Sequence, residues 1–291
     1  MMEEVNTCCN YSRPGMYYKH SGIITPISVI CIIIFGTICA VFLGGIYGFA
    51  AHAIPYAMLR ILLPLFYGSA IGWIIGTTGK KCKIRNPYVL LFTGIIFGIF
   101  AVYTEWVSWL FAVSQRKLLL LSPLELFLTI KIIAIQGIWS FKGTTPTGWA
   151  LYTIWMAEAL VIIGCCAHFA YKIVKDSAFC ETCNRWLEKD TPVSFLTPID
   201  NVAELKTQIS SGNSAILTGL KFNPGIQHYT RLELSSCRSC RNLFLLTVKD
   251  ITIQNDTKGK QSEKEKAIIE NFVIENRLYT TLKGLSGVSG G

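Results

Sequence analysis

Four long stretches of this chain carry almost no charge. Ser21 to Leu59 holds one histidine, His52, and no charged residue; Ile61 to Gly79 holds no charged residue. Asn86 to Gln115 holds only Glu105, and Gly143 to Tyr171 only Glu158. A helix needs about 20 mostly apolar residues to cross about 30 Å of hydrocarbon, and each stretch supplies them. With 51% hydrophobic and 15% charged residues, the chain has neither the low hydrophobicity of disorder nor the roughly one-quarter charge of an ordinary soluble domain. The expected class is an α-helical polytopic membrane protein. Its first span, preceded by a polar leader and longer than a signal-peptide core, is expected to be a retained anchor.

A fifth apolar segment, Leu118 to Ile135, is broken by Ser122, Pro123, Glu125 and Lys131. Ser122-Pro123-Leu124-Glu125 has the form of a helix start: a serine cap, a proline whose missing N–H is not needed, and a glutamate that closes a capping box. The helix that follows, to about Gln136, is roughly 21 Å long at about 1.5 Å per residue and too short to cross, so it reads as interfacial or re-entrant. Four crossings put both termini on one side. That side collects Arg13, Lys19, Lys80, Lys81, Lys83, Arg85, Lys172 and Lys175, against Arg60, Arg116, Lys117, Lys131 and Lys142 opposite. The bias predicts a cell-membrane protein with both termini cytoplasmic.

The formal charge of +9 follows the same division. Residues 1–175 hold 13 Lys+Arg and 5 Asp+Glu, while residues 176–291 hold 14 and 13. The surplus therefore reports membrane orientation rather than a nucleic-acid surface, which would need Arg185, Arg231, Arg238 and Arg241 to form one basic face.

Small residues four apart line three of the spans: Ala40, Gly44 and Gly48; Gly68, Gly72 and Gly76; Gly94 and Gly98. Such stripes let helices approach closely in lipid. They predict contact within one bundle, with a homodimer seam as the alternative. Glu105 and Glu158, at comparable depth in their spans, are expected to snorkel to the interface marked by Trp106, Trp109, Trp149 and Trp155 or to pair structurally; the alternative is an intramembrane polar site shared with Lys131.

Of 11 cysteines, four are paired as Cys180-Glu181-Thr182-Cys183 and Cys237-Arg238-Ser239-Cys240. Two CxxC turns can aim four thiolates at one metal ion. The second pair lies between the alternating run Arg231–Leu234 and the β-prone run Leu243–Val248, at an expected hairpin tip. From about residue 178 to 252 this arrangement resembles a zinc ribbon, a resemblance that rests on the four cysteines and implies a structural metal. The 53 residues between the pairs exceed the common spacing, and neither pair is followed by the glycine often seen in such knuckles. Within the gap, Asp200 is the expected cap of a short helix over Asn201–Ser210, ended by Gly212. An iron–sulfur cluster uses the same four ligands, and disulfides would suit an exported domain. A domain this small and modestly apolar is expected to depend on its metal for a core.

The domain expectations are a polar N-terminal segment over 1–22, a transmembrane domain over 23–175, and a zinc-ribbon-like α+β domain over 176–256. An amphipathic helix over 262–283 follows, begun by a capping box at Ser262–Glu265, and a flexible tail occupies 284–291. No phosphate loop, dinucleotide fingerprint, HExxH or kinase motif occurs. The sequence thus points to a non-enzymatic membrane protein that displays a metal-stapled domain to a cytoplasmic protein partner. The rival is a transporter or lipid-handling enzyme built around Glu105, Glu158 and Lys131. Homo-oligomers fit either reading.

Overall fold

The structure, a computed structural model, describes residues 13–54, 57–137, 145–255 and 261–285. The first part of the N-terminal segment, Lys142, residues 256–260 and the tail from Ser286 lie outside the described residues. Two compact units emerge, one formed by residues 22–176 and the other by residues 1–21 together with 177–291.

Helices α1 (Pro26–Ala53), α2 (Ala57–Lys81), α3 (Pro87–Val113), α4 (Pro123–Gln136) and α5 (Trp149–Lys175) build the first unit. Proline stands in the first turn of α1, α3 and α4, where it costs no hydrogen bond. Asn86 caps α3 by accepting from the amides of Tyr88 and Val89, and Ser122 caps α4 by accepting from Glu125. Four of these helices, α1, α2 from Leu62, α3 and α5, are long and apolar enough to cross a membrane. The 14 residues of α4 fall short of that length.

The small-residue stripes are spent inside this unit. A Cβ added at Gly68 would stand 2.5 Å from the carbonyl oxygen of Ile162 on α5, and one at Gly48 would stand 2.6 Å from the amide nitrogen of Trp109 on α3. Gly72 and Gly76 likewise face α5, as do Gly94 and Gly98 from α3. Backbone meets backbone at these points, and a side chain would hold the helices apart.

The second unit is built on a five-stranded antiparallel sheet. After the short strands β1 (Phe179–Cys180) and β2 (Arg185–Trp186) come β3 (Glu188–Lys189), β4 (Val193–Leu196), β5 (His228–Ser236), β6 (Phe244–Asn255) and β7 (Gln261–Ile274). The sheet order is β3-β5-β6-β7, with β4 also paired to β5. Helices α6 (Val202–Ser210), α7 (Ala215–Thr218) and α8 (Asn276–Gly284) complete it. The cap of α6 is Asn201, which accepts from the amide of Glu204 at 3.0 Å, one residue later than the Asp200 expected.

The amphipathic helix expected over 262–283 is not what forms. Gln261–Ile274 is a strand paired along β6, and only Asn276–Gly284 is helical. Two residues of β7, Glu270 and Asn271, lie opposite the single Thr247 of β6, and Ile268 is an extra residue between Ile269 and Ala267. These are β-bulges. They turn the inward spacing from two residues to three, so that Ile269, Phe272 and Ile274 all enter the core. A bulged strand therefore imitates the i, i+3 pattern of a helix. Cross-strand pairing adds what a wheel cannot show: Lys249 on β6 contacts Glu265 on β7 at 3.0 Å.

The N-terminal segment joins this unit as well. Tyr17 bridges Phe272, Gly15 N–H donates to Val273 O, Val273 N–H to Met16 O, and Tyr18 N–H to Asn271 O. The segment lies along the outer edge of β7.

Candidate functional site

Each cysteine pair occupies a tight turn between two antiparallel strands. Cys180 ends β1, and Cys183 sits in the turn before β2, where Phe179 pairs with Trp186 and Cys180 with Arg185. Cys237 and Cys240 lie between β5 and β6; Cys237 N–H donates to Leu243 O, and Arg241 N–H returns to Cys237 O. The residue after each pair has a left-handed backbone, Asn184 at φ 51° and Arg241 at φ 52°. This is the conformation glycine adopts most readily. The missing glycines are replaced by non-glycine residues in the same backbone state.

All four sulfurs lie within 4.8 Å of one another, with Cys180 Sγ 3.6 Å from Cys240 Sγ. Sulfurs bound at about 2.3 Å from one tetrahedral centre stand about 3.8 Å apart. The donor set and its spacing fit a metal ion. Cys180 and Cys237 are buried, whereas Cys183 and Cys240 are half-buried. Burial pushes the Cys180 thiol up. Burial also opposes ionisation of Cys237, but the amides of Cys240 and Ser239 donate to its sulfur and bring it down to about 7. Amide donors aimed at a sulfur favour the thiolate that a metal requires.

Around the cysteines, Ala178, Leu243, Leu245 and Val273 form a small buried cluster with Tyr18 and Leu187 against it. Tyr18 contributes from the far end of the sequence: its hydroxyl accepts from Phe179 N–H at 2.9 Å and lies 3.3 Å from Phe179 O. Ser21 Oγ donates to Glu181 Oε1 at 2.6 Å, inside the first CxxC turn. Nothing in the local sequence marks Tyr18 or Ser21 as neighbours of this site.

The larger core is separate. It gathers Leu205, Leu217, Leu232, Leu246, Phe272 and Leu282, among others, beneath the sheet. Contrary to the sequence expectation, the domain has a substantial core apart from the cysteine cluster, because β7 and α8 contribute Ile269, Phe272, Ile274, Tyr279 and Leu282 to it.

In the other unit, Glu105 is buried at 8% exposure, and its acidic neighbour is Glu158. Tyr47, unremarked in the sequence, donates its hydroxyl to Glu158 Oε1. Lys131 stands exposed on α4, its Nζ 4.6 Å from the centre of the Phe127 ring. Trp106 packs edge-on to both Trp109 and Trp155, and Trp149 is 87% exposed.

The two units define a chain with four helices able to span a membrane and four cysteines close enough to bind a metal ion. It matches no protein-family model, no curated protein and no solved structure.

Proposed function

We propose that this is a non-enzymatic multi-pass membrane protein whose cysteine site holds a structural zinc ion in a zinc-ribbon-like cytoplasmic domain, which serves as a docking module for a protein partner. The observation that carries the reading is the convergence of four protein sulfurs within 4.8 Å. Four sulfurs complete a tetrahedral shell and leave no position for a catalytic water, so the ion acts as a staple. Thiolates at this spacing suit zinc, and a cytoplasmic setting keeps them reduced.

The hydrogen bonds that join residues 15–18 to β7 support an even number of crossings, since both ends of the apolar region then lie on one side. That parity agrees with four spans and with α4 remaining on or within one face of the bilayer. The balance of basic residues assigns the shared side to the cytoplasm. The surface offered to a partner includes β7 over residues 261–267, which is exposed along its length. Four thiolates and one zinc ion sum to −2, which makes residues 176–291 slightly acidic. This supports a protein partner over nucleic acid.

The test is elemental analysis and affinity capture on the full chain purified in mild detergent. The reading expects one zinc ion per chain, lost in the double variant Cys180→Ser with Cys237→Ser. It also expects a partner retained by the intact chain and by Glu105→Gln with Glu158→Gln, but not by the cysteine variant. Iron with a visible charge-transfer spectrum, or a purified wild-type chain that neither carries nor takes up zinc, would refute the zinc assignment.

A further inference from the structure

Where α1, α3 and α5 meet, two carboxyl groups face each other inside an apolar bundle. Glu105 projects from α3, and its Oε2 is buried without a hydrogen-bond partner. Opposite is Glu158 of α5, fixed by the phenol of Tyr47 on α1. Tyr67 of α2 packs beside Tyr47 with ring centroids 4.9 Å apart, and its hydroxyl meets Thr104 Oγ1 and Ala101 O, each at 3.1 Å. The titratable groups that face Glu105 are thus Tyr47 from α1, Tyr67 from α2 and Glu158 from α5. The ionisable residues of α4, Glu125 and Lys131, are exposed.

Two carboxyls in a medium of low polarity repel if both are ionised, and each loses the hydration it had in water. The helices approach one another through glycine contacts along their stripes, so their close packing does not rest on a carboxyl at either position. An orphaned buried carboxyl oxygen calls for a positive partner. The donors are all oxygens, which suits a hard cation. Two facing carboxyls that share a single positive charge no longer repel, and a singly charged ion meets that need at a lower cost of dehydration than a divalent one.

We propose that Glu105 and Glu158 bind one small monovalent cation, a proton or a sodium ion, between their facing carboxyl oxygens, with Tyr47 holding Glu158 in place. This assigns an ion-binding site to the membrane-spanning half and is independent of the metal site in the other unit. Tyr47 is a positioning residue, because it acts through Glu158.

The experiment treats the full chain in detergent, in sodium-free buffer, with dicyclohexylcarbodiimide, which modifies protonated carboxyls in apolar surroundings. Intact mass and peptide mapping locate the adduct. The proposal expects one adduct per chain on Glu105 or Glu158. For a bound proton, labelling falls about tenfold per pH unit beyond the titration midpoint and ignores salt. For sodium, added sodium chloride protects and choline chloride does not. Infrared difference spectra of the wild type against Glu105→Gln supply a second readout, the carbonyl band of a protonated carboxyl. Either pattern of protection, or a pH-dependent carboxyl band, supports the site. Labelling indifferent to both pH and sodium overturns it, as does the absence of both adduct and band. The wild-type profile decides the matter even where a glutamine variant fails to fold.

Discussion

Tyr17 lies edge-on against Phe272, ring centroids 5.4 Å apart and planes at 80°, as paired residues of an antiparallel bridge. Residues separated by most of the chain thereby share one sheet edge. The next residue, Tyr18, carries this contact to the cysteine site through Phe179.

Replacing Tyr18 with Phe should therefore weaken the first CxxC turn. Removing the hydroxyl leaves the Phe179 amide without its acceptor, at a cost of about 1–3 kcal/mol. Hydrogen exchange followed by mass spectrometry should show faster exchange at Phe179. Deletion of residues 1–21 should extend the effect to the Val273 amide, which donates to Met16. Unchanged exchange at both amides would mean that the N-terminal segment does not support the site.

Metal removal should act locally. The cysteines and their neighbours form one buried cluster, and the sheet core forms another. Chelation should expose residues 178–187 and 237–243 to rapid exchange while the central pairing of β5 with β6 stays protected. Loss of protection throughout the domain would show that the two cores fold only together. Restoring zinc should restore the turns, because metal binding contributes on the order of 10 kcal/mol to such modules.

Gly68→Leu should break the membrane bundle. Its side chain would collide with the Ile162 carbonyl, and overpacking of this kind costs typically about 1–3 kcal/mol or more. The expected outcome is a lower thermal midpoint in detergent with loss of the monomer fold. If the stripe were instead a dimer seam, the same change would leave a stable monomer and abolish a dimer on size-exclusion chromatography.

The face of the sheet that carries Arg231 should be sensitive to acid. Arg231 contacts Glu263 at 2.7 Å and Glu265 at 2.8 Å. Its guanidinium holds the Glu263 carboxyl below the usual range, helped by the Tyr229 hydroxyl. The folded value is lower than the unfolded one, so the stabilisation is present above about pH 4.3 and is lost as pH falls through the folded value. Glu263→Gln should flatten this part of the pH–stability curve in denaturant titrations. Because Glu263 is partly exposed, salt should diminish the difference between the two proteins.

The spans were legible in the sequence because membrane crossing depends on local composition: about 20 uncharged residues suffice whatever their neighbours are. The CxxC pairs were legible for a similar reason, since a two-residue gap itself builds the turn that brings two sulfurs together. Tertiary structure alone decided the form of residues 261–274. Their spacing suited a helix, but the bulges at Ile268 and Asn271 let a strand bury the same residues against β6. It also placed Tyr18 beside Phe179, Tyr47 beside Glu158, and left-handed backbone at Asn184 and Arg241. Local sequence records propensity and spacing. Pairing between distant segments is settled only when hydrogen bonds and buried surface compete across the whole fold.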